Sequence, residues 1–343
     1  VLVDKNNNDG LMKKIINNVE HVVKDMMAGF CFEHKDRVSF EPKHGIVYRK
    51  DLKEISEEVV IISGGGSGHE PAHYGYVGKG MLSIAVNGEI FTPPTTEQIM
   101  AAIRMIDKTK PVLLIIKNFK ADLESFLVAE SIAQKEGWTV DHVIVSDDVS
   151  IEDDNSFNKR KRGVAGTVFV HKILGAAALD GYSLNEVTEI GQSVISQLHT
   201  LGVALSPVTH PVTDRSSFIL QDNEVFYGIG IHGEVGYRKE EFHSSEILAI
   251  ELMNKLKSLY RWKKGDHFAI LVNGLGATPL MEQYIFTNDI RRLCELEGLD
   301  IRFVKVGNHL TSLDMKGISL SLLKIKDPIW EKWLKAEVEV ANW

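Results

Sequence analysis

The chain has few of the features that mark secreted or membrane-spanning proteins. Only two cysteines, Cys31 and Cys294, occur among its 343 residues, which excludes a disulfide scaffold and is typical of a reducing compartment. No apolar run approaches the roughly 18 residues of a membrane span, and no signal-peptide pattern is present. We therefore expect a cytoplasmic protein that makes no contact with a membrane.

Positive charge is also in short supply. The 39 lysines and arginines are outnumbered by 47 acidic residues, which gives a formal net charge of −8. Nucleic-acid-binding surfaces need a basic footprint, so direct binding to DNA or RNA is not expected. The one basic run, residues 159–162, is short, and we interpret it as a solvated loop.

Nucleotide-binding motifs are missing although glycine is plentiful. The segment 64–71 reads Gly-Gly-Gly-Ser-Gly-His-Glu-Pro, but a phosphate-binding Walker loop needs Lys followed by Ser or Thr where His69 and Glu70 stand. The dinucleotide fingerprint fails at His69, and in the later glycine segment 274–279 it fails at Pro279. The glycines instead predict close backbone approach to a small polar ligand, with a tight turn that holds no ligand as the alternative.

A zinc site is not expected either. Residues 69–73 match the zinc-protease pattern His-Glu-x-x-His, which requires both histidines on one face of a continuous helix. Pro71 belongs in a first helical turn, so it leaves His69 outside any helix that carries His73. We therefore predict no bound metal.

What the sequence does contain is the alternation of short apolar runs and longer amphipathic segments that predicts an α/β fold with a largely parallel sheet. Three apolar runs predict buried strands, and polar residues follow each of them, as at the ligand-binding edge of open α/β sheets. These strands are residues 59–62, 112–116 and 143–145. The predicted helices are residues 96–107, 123–136, 164–179 and 183–201.

The second half follows a different pattern and predicts a second α/β domain with a mixed sheet. Its predicted elements are extended structure over 222–236, strands over 268–272, 302–306 and 318–324, and a helix over 279–297. At 343 residues two domains are favoured over one. We place the first domain at 12–200 and the second, with His232, at 201–343, the boundary falling within 198–206. We interpret residues 1–11 as a cloning remnant or a disordered lead.

Three side chains outside the glycine segment have chemistry that suits a carbonyl ligand. His232 stands between glycines, and a neutral imidazole is a competent nucleophile toward a ketone or aldehyde. Lys117 and Asp122 follow the second predicted strand, where a lysine could donate to a ligand oxygen and a carboxylate could accept a hydroxyl proton. Structural roles for all three remain the alternative from residue type alone.

Eight segments together make the chain resemble the dihydroxyacetone kinase family, specifically its substrate-binding subunit. The resemblance covers residues 12 to 343 and is carried by segments 63–71, 88–92, 115–118, 162–165, 222–224, 228–234, 273–280 and 311–315. It implies the two-domain fold of that subunit and a homodimer. It also implies dihydroxyacetone held as a hemiaminal on His232. The family's other ligand contacts correspond to Gly66, His69, Lys117 and Asp122, with His69 and Asp122 as the acid/base pair.

The resemblance also implies that no cofactor is held by this chain, because in the bacterial multi-subunit form the nucleotide lies on a separate subunit. Several positions depart from the kinase pattern. Phe119 stands where kinase members have Tyr and Ala121 where they have Gly; the other departures are at 125–127, 155–160, 214–216 and 235. If position 121 needs positive φ, its Cβ would cost about 1 kcal/mol and could displace Asp122.

These departures leave two hypotheses. The favoured one is a non-catalytic sensor of the DhaQ type, which captures dihydroxyacetone and partners a TetR-like transcription factor as coactivator. The other is a working kinase subunit that presents the ketone to a nucleotide-bearing partner. A dehydrogenase or a protease is excluded by the failed motifs.

Overall fold

The computed structural model describes residues 14–151, 161–211, 216–234 and 236–343. The predicted lead at 1–11, two residues of the basic run and the departures at 155–160, 214–215 and 235 lie outside them. Two six-stranded sheets with packed helices form the fold. The strands are β1 (Val38–Glu41), β2 (Ile46–Arg49), β3 (Val60–Ser67), β4 (Ile84–Ile90), β5 (Val112–Lys117), β6 (Val140–Val145), β7 (Leu198–Ala204), β8 (Glu224–Tyr227), β9 (Arg238–Glu241), β10 (His267–Gly274), β11 (Asp300–Gly307) and β12 (Gly317–Lys324). The helices are α1 (Val22–Glu33), α2 (Thr96–Ile103), α3 (Lys120–Lys135), α4 (Thr167–Leu179), α5 (Leu184–Ser196), α6 (Ser245–Tyr260), α7 (Leu280–Glu297) and α8 (Pro328–Lys335).

The first sheet is largely parallel and buried on both faces. Its strand order is β1-β2-β4-β3-β5-β6, and the four strands from β4 to β6 in that order pair in parallel. Alternate residues of β3 face opposite sides: Ile62 packs in the core with α2 and α3, whereas Ile61 packs in the core with α4 and α5. Burial on both faces explains why this strand begins as a continuous apolar run rather than an alternating one.

The second sheet is mixed, with the order β11-β10-β12-β7-β8-β9. Only the β10–β11 pair is parallel, and the other neighbouring strands pair antiparallel. The predicted two-domain α/β class, with one largely parallel and one mixed sheet, is therefore confirmed.

The glycine segment is not the loop that the sequence predicted. The predicted strand ended at Ile62, but β3 continues through Ser67, and Gly64 to Gly66 pair in parallel with β4. A Cβ at Gly66 would lie 2.6 Å from the amide nitrogen of Thr92, so only glycine lets the chain after β4 pack this closely. The turn itself comes at Gly68, whose φ of +99° suits glycine.

One further prediction in the middle of the chain was wrong in extent. The helix predicted over 183–201 ends at Ser196, because Leu198–Ala204 forms β7, which pairs with β12 in the second sheet. The predicted domain boundary after residue 200 thus falls inside a strand of the second sheet. Of the extended segment predicted over 222–236, Glu224–Tyr227 forms the one strand among its described residues.

The C-terminal segment returns to the first domain after the second sheet is complete. In α8, Trp333 is buried in the core that contains α4 and α5. Its Nε1 donates to the Asp180 carboxylate at 2.8 Å. Farther on, the backbone amide of Asn342 donates to the Gly75 carbonyl at 3.2 Å, and Trp343 stacks on Phe303 of β11. The two domains are therefore joined by this segment as well as by the connection at β7. None of the helices in the described residues is long and apolar enough to cross a membrane.

Candidate functional site

Two histidines from different domains meet where β3 ends. The His69 and His232 rings lie edge to face, with 4.8 Å between their centroids. The segment 309–315 joins the two sides: the Leu313 amide donates to the Gly68 carbonyl at 2.8 Å, and Ser312 Oγ donates to the Ile231 carbonyl at 2.6 Å. The structure thus brings together two residues that are far apart in sequence.

His69 is fully buried, and its tautomer is fixed by a backbone group. Its Nδ1 lies 2.7 Å from the carbonyl oxygen of Thr311, which can only accept, so Nδ1 carries the proton. Burial lowers the pKa of His69 well below its usual value, and the charges of His232 and Lys117 lower it further. Nε2 has no hydrogen-bond partner among the described residues. His69 is therefore a neutral imidazole with an unused lone pair.

His232 is partly exposed, and its orientation is fixed by a carboxylate. Nδ1 lies 3.0 Å from Glu234 Oε1, and the His232 amide donates to Glu234 Oε2 at 2.9 Å. Burial would raise the pKa of Glu234, but the hydrogen bond from His232 and the charges of His232 and Arg162 hold it at about 2. An ionised Glu234 keeps the proton on Nδ1, which leaves Nε2 as the nucleophilic nitrogen.

Arg162 supports this carboxylate from the first domain. Its guanidinium bonds Asp148 at 2.6 Å, donates to the Gly228 carbonyl at 3.0 Å, and lies 4.0 Å from Glu234 Oε2. Asp148 and Arg162 are both buried, so their ion pair holds the guanidinium in a fixed position next to Glu234. The predicted loop role of the basic run therefore does not apply to Arg162, which is a buried structural residue.

Aromatic rings enclose the two histidines. Phe91 stacks on His69 with centroids 5.1 Å apart, and both Phe91 and Phe119 meet the His232 ring edge to face. Phe91 has a φ of 53°, which is an outlier for a bulky side chain. Among the described residues two other non-glycine residues have positive φ, and one of them, Leu313, also packs against Gly68. Backbone strain of this kind concentrates at ligand-binding sites.

Lys117 and Asp122 lie beneath the histidines as a buried pair. Lys117 ends β5, Asp122 lies in the first turn of α3, and Nζ is 3.8 Å from Oδ1. Burial raises the pKa of Asp122 against the charges of Lys117 and His232, and burial lowers the pKa of Lys117. Asp122 Oδ1 has no hydrogen-bond partner within the described chain, so it can accept from a ligand hydroxyl.

Position 121 does not impose the strain that the sequence suggested. Ala121 is an exposed helical residue in the first turn of α3, and its φ is not positive. Alanine is favoured over glycine there, because glycine costs about 0.5–1 kcal/mol more in a helix. Asp122 is therefore not displaced by the substitution of Ala for Gly.

The two histidines of the zinc-protease pattern are not arranged for one metal ion. Residues 69–73 form turns rather than a helix, and the ring nitrogens of His73 point to other partners. His73 Nε2 lies 2.8 Å from Lys117 Nζ, and Nδ1 lies 2.8 Å from His171 Nε2. His69 lies outside any helix, as predicted, but Pro71 lies in a turn and does not begin a helix that carries His73.

Sequence reasoning assigned no role to several residues that build the site. They are Glu234, Arg162, Phe91, Thr311, Ser312, His73 and His171. Glu234 could have been found, since a carboxylate two residues after a histidine in a glycine-rich segment is within reach of Nδ1. The contacts of Thr311, Ser312 and His171 are made across more than 80 residues of sequence and leave no local signal.

Comparison with known proteins gives full-length matches. The model of the Dak1 domain family matches residues 28–342. The DhaKLM operon coactivator DhaQ of Lactococcus lactis is 48% identical over 332 residues, which are 96% of this chain and all of the relative. The dihydroxyacetone-binding subunit DhaK of a PTS-dependent dihydroxyacetone kinase from the same organism is 46% identical over 331 residues, 96% of this chain and 99% of that subunit. A solved structure described as a dihydroxyacetone kinase operon co-activator superposes with a TM-score of 0.88 at 48% identity and covers 92% of this chain and 97% of its own.

Proposed function

Because the chain belongs to the Dak1 domain family, we propose that it is a dihydroxyacetone-binding sensor that acts as a transcriptional coactivator. The resemblance inferred from the sequence motifs is confirmed by this membership. The ligand and the regulatory role are our proposals for this chain. The observation that supports ligand capture is the His232 ring, whose Nδ1 is bonded to Glu234 and whose Nε2 is left for a carbonyl carbon.

The proposed capture is an addition without loss of water. His232 Nε2 forms a bond to the carbonyl carbon as the C=O π bond breaks, and the carbonyl oxygen takes up a proton from solvent and becomes a hydroxyl. The Nδ1 proton stays on an imidazolium that is paired with the Glu234 carboxylate, or passes to solvent to give a neutral adduct. A fixed carboxylate at 3.0 Å stabilises the positive charge that forms on the ring, as in other histidine–carboxylate pairs.

The hydroxyl groups of the ketone have two unused acceptors in the same site. His69 Nε2 and Asp122 Oδ1 are buried and lack partners among the described residues, and each would otherwise cost about 1–3 kcal/mol as an unsatisfied buried group. A polyol ligand satisfies both. This supports the roles proposed for His69 and Asp122 as the pair that holds the ligand hydroxyl, with Lys117 orienting Asp122 and Gly66 leaving room for the chain beside it.

The capture is tested by native mass spectrometry of the purified chain after incubation with dihydroxyacetone. We expect the mass to rise by one intact ketone molecule, and His232→Ala to abolish this rise. His243→Ala, at an exposed histidine of the same domain, is the matched control and should keep the adduct. An adduct that persists in His232→Ala, or none in the unmodified chain, would refute the covalent proposal.

The coactivator role is supported by the coactivator relative and by the altered wall of the site. Phe119 replaces the Tyr of kinase members and packs directly on His232, which removes a hydroxyl from beside the nucleophile. The acidic net charge suits a protein that binds a regulator rather than DNA. We propose that a homodimer of this chain binds a TetR-like transcription factor in the presence of dihydroxyacetone. Size-exclusion chromatography of the chain with such a regulator, with and without the ketone, tests this.

A kinase subunit is the second candidate, and one observation favours it. Ala121 does not displace Asp122, so the residue pattern around the ligand is compatible with phosphorylation of the ketone. The two candidates are separated by mixing the chain with a nucleotide-bearing subunit and Mg²⁺. Turnover of dihydroxyacetone at 1–100 s⁻¹ or so, a typical kinase rate, would overturn the sensor proposal, whereas adduct formation without turnover supports it.

A further inference from the structure

Lys117 belongs to a row of three basic side chains, and the other two, His73 and His171, have no part in the proposed capture. Lys117 Nζ contacts His73 Nε2 at 2.8 Å, and His73 Nδ1 contacts His171 Nε2 at 2.8 Å. All three side chains are buried, and His171 lies on α4, on the far side of the first sheet from α3. Three titratable groups in direct contact without water form a route along which protons can be rearranged.

The direction of the hydrogen bonds in this row depends on whether Lys117 is charged. An ammonium group can only donate, so it donates to His73 Nε2; His73 then donates from Nδ1 to His171 Nε2. Each histidine therefore carries its proton on Nδ1. If Lys117 is neutral because it has released one proton to solvent, Nζ can instead accept from His73 Nε2, and His171 Nε2 then donates to His73 Nδ1. Both histidines then carry their proton on Nε2.

We propose that Lys117, His73 and His171 form a buried relay in which the charge of the lysine and the tautomers of both histidines change together. His171 Nδ1 has no partner among the described residues, so neither direction is fixed from that end. The direction of the hydrogen bonds is set at the Lys117 end of the row. There Asp122 Oδ1 lies 3.8 Å from Lys117 Nζ and favours the ammonium form. His73 is thus a positioning residue for Lys117.

The charged and titratable groups around the row are few. Gly64 accepts a hydrogen bond from Lys117 Nζ at 2.9 Å in either state, and Tyr76 donates to the His309 carbonyl rather than to His171. The groups that interact electrostatically with Lys117 are Asp122 from α3, His73 and His69 from the segment after β3, and His171 from α4. Among them Asp122 is the one acidic group, so its charge decides the state of the row.

The consequence for ligand capture rests on the proposed function. A ligand hydroxyl that donates to Asp122 reduces the field that this carboxylate exerts on Lys117. The relay converts that change into a change of hydrogen-bond direction at His171 on α4. Ligand occupancy would in this way alter the hydrogen bond of a residue that lies on the opposite face of the first sheet from α3.

The relay is tested by nitrogen-15 NMR of the histidine rings in the ligand-free chain. We expect both rings to carry the proton on Nδ1 at neutral pH and to switch together at one midpoint, below the ordinary lysine pKa of about 10.4 because Lys117 is buried. Asp122→Asn should lower that midpoint by about one to three pH units, since it removes an opposite charge within 4 Å. Glu124→Gln, at an exposed site on the same helix, should leave it unchanged.

Three results would overturn the relay: rings that switch at different pH values, no switch below pH 10.4 or so, or an Asp122→Asn midpoint equal to that of the unmodified chain. His199, a partly buried histidine in the second sheet, serves as an internal reference that should not respond. Addition of dihydroxyacetone should shift the same midpoint downward by less than Asp122→Asn does. A chain that binds no ketone but still switches as described would refute the proposed function and support the relay.

Discussion

The two histidines that meet in the site are held in the same tautomer by different acceptors. His69 bonds the neutral carbonyl of Thr311 and is fully buried, whereas His232 bonds the Glu234 carboxylate and keeps part of its ring exposed. A carbonyl orients an imidazole without stabilising its charged form, but a carboxylate does both. The acceptor behind each ring thus assigns its chemistry: His69 stays a neutral base, whereas His232 has a carboxylate beside it that can balance positive charge formed on the ring during capture.

The largest effect is expected when the acceptor of His232 is made neutral, like the Thr311 carbonyl that accepts from His69. Glu234→Gln keeps an acceptor for His232 Nδ1 but removes its charge. We expect the adduct with dihydroxyacetone to weaken by about 10- to 100-fold, since hydrogen bonds to charged groups are worth about 1.5–3 kcal/mol. Calorimetric titration of the ketone measures this, with Glu282→Gln on α7 as the control. Unchanged affinity would mean that the carboxylate only orients the ring.

Because His69 is neutral in the folded chain, we expect the free energy of unfolding to depend on pH. The folded-state pKa of His69 is depressed, so the unfolded chain binds this proton more readily, and the contribution to stability is complete above about pH 6.5 and is lost as the pH falls. His69→Gln should flatten the pH dependence of the unfolding free energy below pH 6.5 by up to about 1.4 kcal/mol per pH unit.

Urea unfolding at a series of pH values measures this slope. His243→Gln, at an exposed histidine, should leave the slope as it is. A His69→Gln chain with the same slope as the unmodified protein would show that His69 is protonated in the folded state.

A smaller effect is expected beside Asp122, which we propose shares the ligand hydroxyl with His69. Ala121→Gly restores the kinase-type residue in the first turn of α3 and should lower the unfolding free energy by about 0.5–1 kcal/mol. Dihydroxyacetone affinity should not change, because Ala121 is exposed and helical. Tighter binding in Ala121→Gly would show that the Cβ does disturb Asp122.

The smallest effect on ligand affinity is expected at Phe119, whose ring packs against His232. Phe119→Tyr adds a hydroxyl to a ring that already contacts the imidazole edge to face at 4.7 Å. We expect dihydroxyacetone affinity to change by less than about threefold, in line with an effect near 0.5 kcal/mol. The measurement is the same calorimetric titration. A larger gain in affinity would make position 119 a determinant of capture, and turnover with a nucleotide-bearing subunit would assign it to catalysis.

The sequence predicted the strands and helices of the first domain best where a buried parallel sheet leaves a strong signature. The run at 112–116 became β5 with one residue added, because a strand covered on both faces is apolar throughout. The same rule misjudged β3, since Gly64 to Gly66 carry no apolar signal although they pair with β4. Their role as strand residues depends on the chain at 91–92, which local sequence does not reveal.

Some residues of the site could be predicted from the sequence, but their surroundings could not. The motif resemblance supplied His69, Lys117, Asp122 and His232, and the structure brings these side chains together around one position. What sequence could not supply is the environment that gives each its chemistry. The Thr311 carbonyl behind His69 and the His73 ring beside Lys117 are contacts between distant segments, and α6 was likewise not foreseen.

The return of the C-terminal segment to the first domain has a consequence for the order in which the chain can fold during synthesis. Trp330, Trp333 and Leu334 are part of the buried core that also contains the strands and helices of the first domain. That core is incomplete until residues 328–343 have left the ribosome. The first domain therefore cannot complete its core while the second domain is being translated.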